Sequence, residues 1–112
     1  MNENLKKNHK VIVTIIKKGK AKKLCEATKK IGAEGGTTII GRGTSVKEFK
    51  KMFGISLDEE REVILTVIKN ELVDKVFKEI IEKGELNKPG KGISFVLDIK
   101  QVDGIAHLLK EA

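Results

Sequence analysis

Two glycine-rich segments hold the residues of this chain best suited to binding chemistry. The first is Gly35-Gly36-Thr37-Thr38-Ile39-Ile40-Gly41-Arg42-Gly43-Thr44. Its second half delivers Arg42, Gly43 and Thr44 to the start of a predicted short helix, where free backbone N–H groups and the helix dipole favour an anion. The second is Gly84-Glu85-Leu86-Asn87-Lys88-Pro89-Gly90-Lys91-Gly92. Glycines on both sides of Lys91 let the main chain come close to a polyanion, while Lys88 and Lys91 supply charge. A Walker loop needs Ser or Thr after its lysine and leads into a helix, whereas this segment leads into a predicted strand. Each segment alone also reads as a plain turn; the pair, on a duplicated scaffold, says more.

The residues usually suspected of catalysis point elsewhere. Cys25 falls on the apolar stripe of a predicted helix, which reads as core and not as a nucleophile. His9 and His107 lie near opposite ends of the chain, and no His, Cys or carboxylate cluster has metal-ligand spacing. The acidic run Asp58-Glu59-Glu60-Glu62, with Arg61 in its midst, reads as a solvated strand entrance. No enzyme, no metal and no resident cofactor is expected.

The elements that position the glycine segments come in duplicate. Val11-Ile12-Val13-Thr14-Ile15-Ile16-Lys17 recurs as Val63-Ile64-Leu65-Thr66-Val67-Ile68-Lys69, an offset of 52 residues. At the same offset Leu24 lands on Val76, Cys25 on Phe77 and Gly32 on Gly84. The chain therefore reads as two βαβ halves in tandem. Strands are predicted at 10–17, 37–41, 62–69 and 93–99 from β-branched, alternating stretches. Helix one is predicted at about 20–31, with Ala21, Leu24, Cys25, Thr28 and Ile31 inside and Gly32 as its stop. Helix two follows an Asn70 N-cap, buries Leu72, Val73, Val76, Phe77, Ile80 and Ile81, and ends at Gly84.

This pattern predicts an α+β, ferredoxin-like βαββαβ domain: a four-stranded antiparallel sheet with both helices on one face, since each crossover is right-handed. A chain of 112 residues makes one domain, assigned to residues 10–112 behind a polar extension, 1–9. Strands one and three are apolar on both faces. Either Ile12, Ile16, Ile64 and Ile68 with Thr14 and Thr66, or the alternate set, would be left bare in a monomer. An apolar patch above roughly 400 Å² is unusual on a soluble monomer, so an oligomer with its sheets packed inward is expected.

Between the halves, residues 43–60 exceed the needs of a hairpin. Ser45 and Glu48 form a capping box, and Val46, Phe49, Met52 and Phe53 make an apolar stripe ended by Gly54. Connectors of this length tend to be functional, although a helix that merely covers a sheet edge would read the same way.

The net charge of +7 raises nucleic acid as a partner. Only Arg42 and Arg61 among the 23 basic residues are arginine, however, and the lysines are interspersed with 16 acidic residues. Phe95 is the only ring on the central strands, where an RNA-binding sheet would stack bases, so nucleic acid is not the expected partner. The polar stretch Met1 to Asn8 lacks the apolar run of a signal peptide, and no apolar run is long enough for a bilayer span. Together with the lone Cys25, this points to the cytoplasm, with no membrane insertion.

On Gly36-Thr37, on Glu71-Leu72-Val73-Asp74 and on Gly90-Lys91-Gly92-Ile93-Ser94-Phe95-Val96-Leu97-Asp98, the chain resembles the PII signalling superfamily. The resemblance covers roughly Lys10 to Ile105. It implies a homotrimer that binds adenine nucleotides between subunits and regulates a partner protein through the connector. Thr37 falls at an adenine-contacting position, Gly43 at the base of the effector loop, and Gly90 and Gly92 in the phosphate-holding loop. The departures matter as well. There is no Tyr, so control by uridylylation is absent. Ile93 stands where the family has a lysine, leaving Lys91 as the nearby cation, and Gly104 and Ala106 replace two phosphate-binding arginines. The implied ligand is a less charged adenine nucleotide, ADP or AMP before ATP. Its site would take Gly35, Gly36, Thr37, Arg42, Gly43, Lys88, Gly90, Lys91 and Gly92, with Arg61 or Arg42 from a neighbouring subunit. Two other classes stay open: a divalent-cation tolerance-type trimer without a nucleotide site, and a structural interaction module that uses the connector alone.

Overall fold

The structure is a computed structural model, and it describes residues 7–33, 37–41 and 61–101. In chain order the elements are β1 (His9–Lys17), α1 (Ala21–Lys30), β2 (Thr37–Gly41), β3 (Arg61–Lys69), a 3-10 turn (Asn70–Leu72), α2 (Val73–Lys83) and β4 (Gly92–Asp98). The strands form one sheet in the order β2-β3-β1-β4, with every neighbouring pair antiparallel. This is the α+β arrangement of an antiparallel sheet and two helices that the duplicated pattern predicts.

The duplication explains the centre of the sheet. Val11 faces Val67, and their equivalents in the other half, Val63 and Ile15, also face each other. The pair Val13 and Leu65 maps onto itself and so marks a local twofold axis. The two copies of the repeated strand thus become each other's neighbours, and their β-branched side chains suit a pleated surface packed on both faces.

Strand pairing decides which alternate set meets the helices. Ile12, Ile16, Ile64 and Ile68 pack with Leu24 of α1 and Val76 and Ile80 of α2 in one core cluster. Enclosing a large aliphatic side chain there stabilises the fold by about 1.5–3 kcal/mol. Thr14, fully buried on the same face, keeps its hydroxyl satisfied by the Ser94 hydroxyl at 2.9 Å. The opposite face therefore carries Val11, Val13 and Ile15, then Val63, Leu65 and Val67, then Ile93, Phe95 and Leu97. Of the two sets that the sequence leaves open, this is the one the helices do not cover.

The helix ends depart from the sequence reading. α1 begins with no acidic residue in its first turn and no side-chain cap from its N-cap residue. Its start is held by Glu62 of β3, whose Oε1 accepts from the backbone N–H of Gly19 at 2.7 Å and of Ala21 at 3.0 Å. Glu62 is thus a long-range cap and not a solvated strand entrance. Asn70 does not cap helix two: a 3-10 turn intervenes, and the Asn70 amide donates to the carbonyl of Lys7 at 2.8 Å. Val73, Val76 and Ile80 are the buried residues of α2, with Leu72 and Phe77 partly buried against the core. Among the described residues, no helix is long and apolar enough to cross a membrane.

Candidate functional site

Antiparallel pairing brings the two glycine-rich segments to the same end of the sheet. Gly41, the last residue of β2, pairs with Arg61, the first of β3, and Arg61 pairs with Lys17, the last of β1. Gly92, the first residue of β4, pairs with Ile16. With strands about 4.8 Å apart, two strand spacings put Arg61 roughly 10 Å from Gly92. Thr37 lies elsewhere: it pairs with Leu65 in mid-sheet, about 13 Å along β2 from Gly41. Gly35, Gly36, Arg42 and Gly43 lie outside the described residues, as do the connector helix read at 45–53 and the positions Gly104 and Ala106.

The two glycines flanking Lys91 do different things. Gly92 has φ +148°, and a Cβ there would stand 2.3 Å from the Ile15 carbonyl oxygen and 3.1 Å from Ile16 Cγ2. It is glycine because β4 presses against β1, which is a packing role. Gly90 has φ +79° with nothing within 4 Å of a Cβ. Its left-handed conformation favours glycine, and the space beside it is open to a ligand.

A carboxylate already sits beside the loop's cations. Glu85 Oε2 lies 3.6 Å from Lys88 Nζ and 3.7 Å from Lys91 Nζ, and Glu85 itself adopts φ +55°. All three side chains are partly solvent-exposed, so these pairs are weak and a better-placed anion can displace them.

Arg61 behaves differently. It is only 6% exposed, and its Nε and Nη1 are buried without a hydrogen-bond partner among the described residues. A buried cation with unpaired donors is costly, and a site that supplies an anion to it would recover part of that cost. The expected exposure of Arg61 at a solvated strand entrance is therefore corrected: the guanidinium is enclosed at the sheet end.

Cys25 is partly buried against the core, as its place on the helix stripe implies. Among the described residues, no group of three or more His, Cys, Asp or Glu could hold a metal ion. The residue missed from sequence is Glu62. The signal for it was available: a helix opening on Ala21-Lys22-Lys23 needs an anion at its N-terminus from somewhere else.

Residues 9–107 match the model of a family described as nitrogen regulatory protein P-II. Among solved structures, the chain is similar to a crystal structure of Arabidopsis thaliana PII bound to citrate. The TM-score is 0.66, with 23% sequence identity, over 88% of this chain and 84% of that one. At that identity the likeness is one of fold. Comparison with curated proteins finds no significant match.

Proposed function

The chain belongs to the nitrogen regulatory protein P-II family, and from that premise we propose that it is a non-enzymatic, ligand-sensing signalling protein of the cytoplasm. It acts as a homotrimer whose apolar sheet faces pack inward. Its ligand is an adenine nucleotide, ADP or AMP before ATP, held in a cleft between subunits by Gly35, Gly36, Thr37, Arg42 and Gly43 with Arg61, Lys88, Gly90, Lys91 and Gly92. The bound state passes to a regulated protein through segment 43–60.

The observation that carries this reading is the sheet end. There Gly41, the last residue of β2, pairs with Arg61, whose buried Nε and Nη1 lack hydrogen-bond partners among the described residues. The Gly90 loop enters β4 two strands away. Lys88 and Lys91 add charge that, among the described residues, only the partly exposed Glu85 offsets. The citrate bound to the Arabidopsis protein is itself a small polyanion, which supports an anionic ligand class. The apolar face left bare by the helices supports assembly.

Calorimetry with ADP, AMP and ATP tests the proposal. ADP or AMP binds more tightly than ATP, and Lys91→Ala weakens binding by about 1–3 kcal/mol, the range for a charge-assisted hydrogen bond, without changing the oligomeric state. If no adenine nucleotide binds at millimolar concentration, or if Lys91→Ala binds as tightly as the parent, the nucleotide reading is wrong.

A further inference from the structure

On the helix-covered side of the sheet, α1 and α2 leave a cavity of about 470 Å³ between them. Six lysines line it: Lys17, Lys20, Lys23, Lys30, Lys83 and Lys91. Three glutamates, Glu26, Glu79 and Glu85, share the lining, so the cavity carries an excess of three positive charges. The floor is apolar, with Ile16 and Leu24 buried in the core below.

Two features separate this cavity from an ordinary solvated lysine face. Helical spacing puts Lys20, Lys23 and Lys30 on one flank of α1, and Ala27, on the same flank, is too small to fill the space between them. Among the described residues, moreover, Lys91 alone of the six has an ion-pair partner, Glu85. Lys17, Lys20, Lys23, Lys30 and Lys83 have none, although Glu26 and Glu79 line the same cavity. Like charges gathered around a concave surface reinforce one another's field and concentrate counter-ions there. The volume falls in the range of small-ligand sites.

We propose that this inter-helix cavity is a second binding site, for a compact anion carrying about three or four negative charges, a polyphosphate or a polycarboxylate. The charge excess selects the ligand's charge, the apolar floor accepts its body, and the three glutamates disfavour weakly charged anions. The cavity lies across the sheet from the bare apolar face, so assembly through that face leaves it open. The proposal does not depend on the adenine nucleotide reading.

The test is calorimetric titration of the full chain with inorganic tripolyphosphate and, separately, citrate, at constant ionic strength so that screening does not change. Lys23→Gln/Lys30→Gln is the variant, because both side chains are exposed and neither belongs to the proposed nucleotide site. At least one anion binds saturably, and the double variant loosens it by about tenfold or more while its ADP titration matches the parent's. Binding of tripolyphosphate alone assigns a phosphate ligand, and binding of citrate alone a carboxylate. Saturable binding by neither anion overturns the proposal. So does undiminished binding to the double variant. Failure of ADP to bind would count against the nucleotide reading only.

Discussion

The two faces of the sheet are built from alternate residues of the same strands, and through the middle of the sheet the face the helices cover is the more polar of the two. Beneath the helices, Ile12, Ile16, Ile64 and Ile68 are interspersed with Thr14, Thr66, Glu62 and Ser94. The opposite face is apolar through its middle, running from Val11, Val13 and the buried Ile15 across Val63, Leu65 and Val67 to Phe95, with Leu97 at its edge 47% exposed and the buried His9 and Arg61 at its two ends. Polar groups under the helices are tolerable because fixed neighbours satisfy them: Thr14 has Ser94, and Glu62 has the start of α1. The opposite face has no helix packed on it among the described residues, and apolar side chains there are compatible with an incoming surface, the role the proposed assembly gives them. Hydrophobicity along a strand therefore does not by itself report which face the helices of the same chain cover.

Adjacent residues of β3 give the sharpest way to break this comparison. Ile64→Lys puts a charge into the core cluster and should cost several kcal/mol or abolish folding, read by denaturant titration. Leu65→Lys places the same charge on the bare face; the subunit should fold with an unchanged circular dichroism spectrum but fail to assemble, read by light scattering. Equal damage from both substitutions, or intact assembly in Leu65→Lys, would remove the distinction between the faces.

Gly92 tests how tightly the covered face is closed at the sheet end. Gly92→Ala drives a Cβ into the Ile15 carbonyl and should destabilise the subunit by about 1–3 kcal/mol. Gly90→Ala meets no atom and should lose only the left-handed preference, about 1 kcal/mol. Thermal melts that rank the two in the opposite order would show that β4 does not press on β1 as described.

The smallest effect concerns the polar pair under the helices. Thr14→Val strands the Ser94 hydroxyl and should cost about 1 kcal/mol, whereas Thr14→Val with Ser94→Ala should recover most of it, because removing both partners leaves nothing unsatisfied. A double variant less stable than the single one would mean that the pair contributes by something other than mutual satisfaction.

The repeat made the middle of the sheet legible: once Val11-Ile12-Val13 recurs as Val63-Ile64-Leu65, the strands and their pairing follow, and the strand ends fall within a residue of prediction. The assignment of faces was not legible, because both alternate sets of β1 and β3 are β-branched and apolar. Helix entry was not legible either. Glu62 reaches Gly19 across 43 residues, and Asn70, which has the right chemistry for a cap, is spent on Lys7. At the candidate site, the shared location of Gly41 and Gly92 follows from antiparallel topology. Gly92's close approach to Ile15 depends on packing that no local motif encodes.

The position of β1 between β3 and β4 has a consequence in time. Both of its sheet neighbours come from the second half of the chain, so a ribosome making ~5–20 residues per second leaves β1 without a pairing partner for several seconds while everything from Lys18 to Lys69 is added. Its Val11-Ile12-Val13-Thr14-Ile15-Ile16 stretch is the kind of uncharged, β-prone segment that pairs with other chains when left bare. Lys10 precedes it, and Lys17 and Lys18 follow it. Charges at both borders of an aggregation-prone run act as gatekeepers, and Lys10, Lys17 and Lys18 hold those borders before β3 and β4 arrive.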